Sequence, residues 1–204
     1  MKLGVLPSAI ALLASQSALA DLQSPEMCGF TIEVIGGDVS AHNPEITVRI
    51  MAYFPSNFFA FGGADFDLVS SDPNGVFSNI ELPAPMGPPG ICSTFYPGTM
   101  VNGGLIDAGA IQFNAVGCTA NPMNPIPIWQ ATWSTTDFAP RDIVLTTANT
   151  ETFGVYEDIG NAGGPNLVPL GLFQHGSAVI HVVPAPGACV LALGSVVCAT
   201  RRRR

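Results

Sequence analysis

Between Asp21 and His181 the chain contains no lysine, and its only arginines there are Arg49 and Arg141. All fifteen carboxylates fall between Asp21 and Asp158, so this stretch carries two positive charges against fifteen negative ones, a net of −13, while the whole chain sums to −8. A surface that acidic repels phosphate backbones, which excludes nucleic acid as a partner. Catalytic signatures are equally scarce. The sequence has no His-Glu-x-x-His, Gly-x-Ser-x-Gly or phosphate-loop pattern, and only three histidines, His42, His175 and His181, so the common metal, nucleophile and nucleotide sites have no residues to build them. A sustained 3.6-residue apolar period is missing from the same stretch, as are internal repeats and long low-complexity linkers. These absences point to one all-β, non-enzymatic domain.

The first twenty residues are of another kind. Met1-Lys2 is followed by an apolar run over residues 3–13 and then by Ala18-Leu19-Ala20 ahead of Asp21. A basic start, a short apolar core and a small-x-small triplet predict a secretory signal helix over residues 1–20, cut after Ala20 with Ala18 as the other small residue. The next residue is not cysteine, which argues against a lipid anchor. Export permits a disulfide. With Cys189 and Cys198 in the apolar tail, Cys28, Cys92 and Cys118 remain. Cys92 with Cys118 is the preferred pair, although three cysteines allow three pairings.

Residues 21–182 read as short strands broken by Gly, Pro, Asn and Asp. Phe30, Ile32 and Val34 alternate with polar residues, as do Ile46, Val48, Ile50 and Ala52, and then Ala64, Phe66 and Leu68 with Asp65 and Asp67 opposite. Asp72-Pro73-Asn74-Gly75 is a turn signal. Residues 82–99, rich in proline and glycine, are expected to be an irregular loop, with Ile111, Phe113 and Ala115 resuming the apolar alternation. Later strands follow at Trp129, Ala131 and Trp133, at Ile143, Leu145 and Thr147, at Phe153 and Val155, and at Ala178, Ile180 and Val182. Period two with frequent turns predicts a single antiparallel, jelly-roll-like β-sandwich with Val48, Ile50, Phe66 and a tryptophan between its sheets.

Two groups of side chains merit consideration as ligand sites. Asp65, Asp67 and Asp72 flank a turn with Asn74, a spacing at which oxygen ligands can hold calcium, although it is not an EF-hand order and a wet strand face explains Asp65 and Asp67 as well. Trp129 and Trp133 share one strand face about 13 Å apart at ~3.3 Å per residue. Exposed, they would stack on sugar rings; with Ala131 between them, a core position is favoured.

After Val182 the chain runs Val183-Pro184-Ala185-Pro186-Gly187, then an uncharged stretch over residues 188–200, then Arg201, Arg202, Arg203 and Arg204. The thirteen residues span roughly 20 Å as a helix, short of a hydrocarbon core of about 30 Å. Val190, Leu191, Leu193, Val196 and Val197 contribute about −2 to −3 kcal/mol to insertion in total, enough for a weak membrane helix oriented by its basic end. This layout resembles the PEP-CTERM sorting signal of bacterial surface proteins: a Pro-x-Pro motif, a brief membrane helix and a basic cluster. It departs from that signal in carrying Ala185 where glutamate is usual. The resemblance implies processing of residues 183–204 by an exosortase-like enzyme and display at the cell surface; the alternative is a tail anchor that stays uncut. The run Ala60-Phe61-Gly62-Gly63-Ala64-Asp65-Phe66-Asp67-Leu68 resembles cohesin-like and carbohydrate-binding jelly rolls. Together these features lead to the expectation of an exported, non-catalytic surface or matrix protein, with a polysaccharide- or protein-binding module, calcium-stabilised, as the alternative.

Overall fold

The computed structural model describes residues 27–114, 118, 121–158, 164–169 and 173–184. The expected signal helix with Ala18 and Ala20, the motif residues Ala185, Pro186 and Gly187, the membrane helix over 188–200 and Arg201, Arg202, Arg203 and Arg204 lie outside the described residues. Among the described residues no helix is long and apolar enough to cross a membrane.

Twelve strands and one 3₁₀ turn, Ala84–Met86, make up the regular structure among the described residues. One sheet holds β1 (Cys28–Ile35), β2 (Glu45–Tyr53), β4 (Val76–Glu81), β7 (Ile126–Ser134) and β11 (Phe173–Gln174), in the order β11-β1-β2-β7-β4. The second is built on β3 (Ala60–Ser70), β5 (Ser93–Val101), β6 (Gly104–Gln112), β9 (Phe153–Tyr156) and β10 (Asn166–Leu167), in the order β10-β9-β3-β6-β5. Here β8 (Arg141–Ala148) pairs with the end of β3, and β12 (Ser177–Val182) pairs with β8. The two sheets pack as a sandwich.

Alternation decides which side chains meet inside. Val48 and Ile50, Phe66 and Leu68, Ile143 and Leu145, and Trp129 and Trp133 are all fully buried in one core. Its centre is aromatic: Phe30 meets Phe66 with ring centroids 5.2 Å apart, and Trp129 takes Phe66 and Phe77 edge-on at 6.4 and 5.7 Å. Such edge-to-face pairs contribute about 0.5–1.5 kcal/mol each beyond burial.

The structure corrects three local expectations. The 82–99 stretch is irregular only as far as Cys92, after which Ser93–Val101 forms β5. Pro97 sits in that strand without breaking it because β5 is the border of its sheet, where a missing N–H leaves no ladder bond unmade. In β6 it is Ala108, Ala110 and Gln112 that turn inward, and Ile111 faces out. The sandwich is also not wholly antiparallel, since β1 and β11 run parallel through Cys28 with Phe173 and Gly29 with Gln174.

The ends of the strands define two poles. At one lie Ile35 and Glu45, the Val101 to Gly104 turn, the Asp72 turn and Val182, which bridges to Val39. At the other lie Cys28, Tyr53, Ala60, Ser93 and Gln112. The described chain therefore enters at one pole and leaves at the opposite one. Val183 donates its amide to Val39 O at 2.8 Å, and Pro184, lacking an N–H, ends the pairing.

Candidate functional site

The outer faces of the two sheets differ in chemistry. On the first, Glu33, Arg49, Gln130 and Glu81 stand side by side on β1, β2, β7 and β4. Arg49 Nε donates to Gln130 Oε1 at 2.8 Å and Nη1 lies 3.5 Å from Glu33, while Gln130 Nε2 donates to Glu81 Oε1 at 2.8 Å. This polar ladder satisfies itself and presents an ordinary wet surface.

The second sheet turns Asp65, Asp67 and Val69 outward from β3. Opposite them β6 carries a bulge: Phe66 pairs with Ala108 and Leu68 with Leu105, so Asp67 alone faces both Ile106 and Asp107. Asp107 takes a left-handed φ of 56°, and its amide donates to Asp67 Oδ1 at 3.0 Å. The extra residue leaves Ile106 and Asp107 exposed, the re-aiming of side chains that bulges produce. Val179 and Val144 are direct cross-strand partners on the same face. With Val69 and Ile106 they form an exposed apolar band across β12, β8, β3 and β6.

On the same face lies a shallow groove of ≈ 430 Å³. Gly62, Gly63 and Gly154 line its floor, Tyr96 and Ile111 wall one side, and Pro165 and Leu167 wall the other. Pro165 packs onto Gly62 where a β-carbon would stand and comes within 2.9 Å of the β-carbon position at Gly154, so both positions require glycine. Tyr96 and Leu167 are 48% and 71% exposed. A second hollow of ≈ 430 Å³ adjoins the groove through Asp65 and Asp107 and adds Asp67, Asn149, Thr150 and Glu151. One hollow is apolar and the other holds four carboxylates.

The acids expected near a calcium site are held by other partners. Asp65 accepts the amides of Glu151 and Thr152 at 2.7 and 3.0 Å on Oδ1 and the Thr152 hydroxyl at 3.0 Å on Oδ2. Asp67 Oδ2 accepts from Asn149 Nδ2 at 2.7 Å. The two carboxylates thus pin the loop between β8 and β9 against β3. Asp72 does not join them: it lies in the turn after β3, bonded to Arg141 Nη2 at 2.7 Å and to the Asn74 amide at 2.9 Å. Burial pushes its carboxyl up, but the Arg141 hydrogen bond, the Asn74 amide and the Arg141 charge outweigh burial and hold it below the ordinary aspartate value. Among the described residues no three His, Cys, Asp or Glu side chains are arranged to hold a metal ion.

Trp129 and Trp133 are both 0% exposed, so neither ring has a face for a sugar. Phe66 of the facing sheet and Phe77 of the same sheet meet Trp129 edge-on, and Trp129 Nε1 donates to Pro97 O at 3.2 Å. Cys92 and Cys118 form a disulfide that ties the loop before β5 to the segment before β7. Cys28 is a buried thiol whose pKa burial pushes up to about 11, which makes it unreactive.

Sequence reasoning brought Asp65 and Asp67 to this face but missed Tyr96, Ile106, Asp107, Ile111 and Leu167. A usable signal existed: Asn102-Gly103, with φ of 48° and 75°, joins β5 to β6 as a two-residue hairpin turn, and Asn-Gly is the strongest short hairpin signature.

The fold is that of a cohesin-like β-sandwich. The chain is similar to the seventh ScaB type I cohesin from Pseudobacteroides cellulosolvens, at 19% identity over 76% of this chain and 95% of that one, with a TM-score of 0.51. It is similar also to the cohesin module of a Clostridium perfringens family 33 glycoside hydrolase, at 8% identity, 78% and 99% coverage and a TM-score of 0.54. The third cohesin of ScaC from Acetivibrio cellulolyticus, solved in complex with the ScaB dockerin, matches at 14% identity, 77% and 99% coverage and a TM-score of 0.51. No protein-family model matches the sequence, and no curated protein matches it.

Proposed function

We propose that this protein is an exported, non-catalytic surface module that binds a protein partner through the outer face of its second sheet. The carrying observation is the outer face of the second sheet, where Val69, Ile106, Val144, Val179 and an apolar groove lie exposed with carboxylates among them, while the first sheet is centred on a closed polar ladder with Ile35 and Val76 exposed at one end. Exposed apolar surface rimmed by polar groups is the usual mark of a protein interface. A cohesin solved with its dockerin shares the fold, which favours a protein partner over a polysaccharide, as does burial of both tryptophans. A photo-crosslinking residue placed at Tyr96, compared in native cells with one at Thr47 on the polar face, tests this. Protein adducts at position 96 and none at 47 are expected; equal adducts at both, or none at 96, reject it.

The tail supports surface display. β12 ends at Val182, the Pro184 and Pro186 positions cannot extend its ladder, and the weakly apolar stretch with four arginines follows. An exosortase-like enzyme would process this segment after the signal peptide is removed. Intact mass of protein taken from its native cell surface should lack residues 1–20 and the arginine end; a full-length mass there rejects the sorting reading.

A further inference from the structure

We propose that the second sheet's outer face takes a polypeptide segment in which a bulky apolar side chain is followed within a few residues by lysine or arginine. This rests on the reading of that face as a protein-binding surface and names the partner's chemistry. Two hollows of equal size share Asp65 and Asp107 as their common wall, so one chain can enter both. The first is walled by Tyr96, Ile111, Pro165 and Leu167, with Pro165 lying over Gly62 and Gly154, an apolar lining that seats an apolar side chain.

The second hollow gathers Asp65, Asp67, Asp107 and Glu151. The described residues bring no fixed cation to them. Among the described residues the fixed positive charges are Arg49 and Arg141. Arg49 lies on the opposite sheet against Glu33, and Arg141 is held by Asp72 and Asp137. The bonds made by Asp65 and Asp67 fix their charge in place without neutralising it, while Asp107 and Glu151 are exposed and open to direct contact. A second copy of this chain is disfavoured as the occupant because it brings the same excess of acid.

A random dodecapeptide library displayed on phage and panned against the immobilised full chain tests the proposal. Enriched sequences should pair Trp, Phe or Leu with a nearby Lys or Arg and should lose binding at high salt. With the best synthetic peptide, Asp107→Asn and Glu151→Gln should each weaken binding about tenfold. Asparagine tolerates the left-handed conformation at 107, so an unchanged melting curve shows that the bulge is kept. Enrichment of acidic or uncharged sequences whose binding still falls with Tyr96→Ala would overturn the partner chemistry and leave the face standing. Enrichment indifferent to Tyr96→Ala, or no enrichment, would overturn the reading of the face itself.

Discussion

Asp65 and Asp67 show how one residue type takes different work from its surroundings. Strand alternation marks both as outward-facing, and that much is legible from Phe66 and Leu68 beside them. Their partners are not: the amides that Asp65 receives lie 86 and 87 residues further along the chain, and no local pattern encodes a loop that arrives from another strand. Asp65→Ala should cost about 1.5–3 kcal/mol, the range for hydrogen bonds to a charged acceptor. Hydrogen exchange at the Glu151 and Thr152 amides should quicken with it. Asp72 adds a pH dependence of known sign. Its folded pKa lies below its unfolded value, so its stabilisation is complete above the ordinary aspartate pKa of about 3.9 and drains away as pH falls through the folded value. Acid titration of urea midpoints should therefore show a smaller loss for Asp72→Asn than for the unaltered protein. The tryptophans supply an optical check: with both rings at 0% exposure, acrylamide should leave their emission nearly unquenched until the protein unfolds.

At the scale of elements, the strands that alternate Val, Ile and Phe with polar residues could be read directly, because a half-buried pleat imposes that pattern. The β5–β6 hairpin could be read only from its Asn102-Gly103 turn. Thr94, Pro97 and Gly98 look like loop, and the small residues Ala108, Gly109 and Ala110 give alternation nothing to contrast. What fixes its two strands is the company of β3, which is tertiary information. The neighbouring staple has a calculable effect. Cys92 and Cys118 are 26 residues apart, and closing a loop of that length stabilises by roughly 3–4 kcal/mol in the chain-entropy account. Cys92→Ser with Cys118→Ser should lower the unfolding free energy by about that amount, measured against the unaltered protein under oxidising conditions. Gly75 offers another test: a β-carbon there would stand 2.5 Å from Trp133 Nε1, so Gly75→Ala should lose about 1–3 kcal/mol to overpacking.

The whole molecule is governed by its charge. The domain between Asp21 and His181 is far from neutral, and its like charges repel in the compact state. Raising NaCl from low to physiological strength should therefore raise its melting temperature, unlike a protein held together by surface ion pairs. The opposed poles have a mechanical meaning. A pull on the chain beyond Val182, with Cys28 held, acts along the length of β12. Its six residue pairs with β8, from Ser177 with Thr146 to Val182 with Arg141, would then be loaded side by side and must slide together. They cannot peel apart one by one as a hairpin pulled from its open end would. A surface module attached at one pole and tugged from the other would bear drag with its strands in shear, the stiffest direction a sheet has.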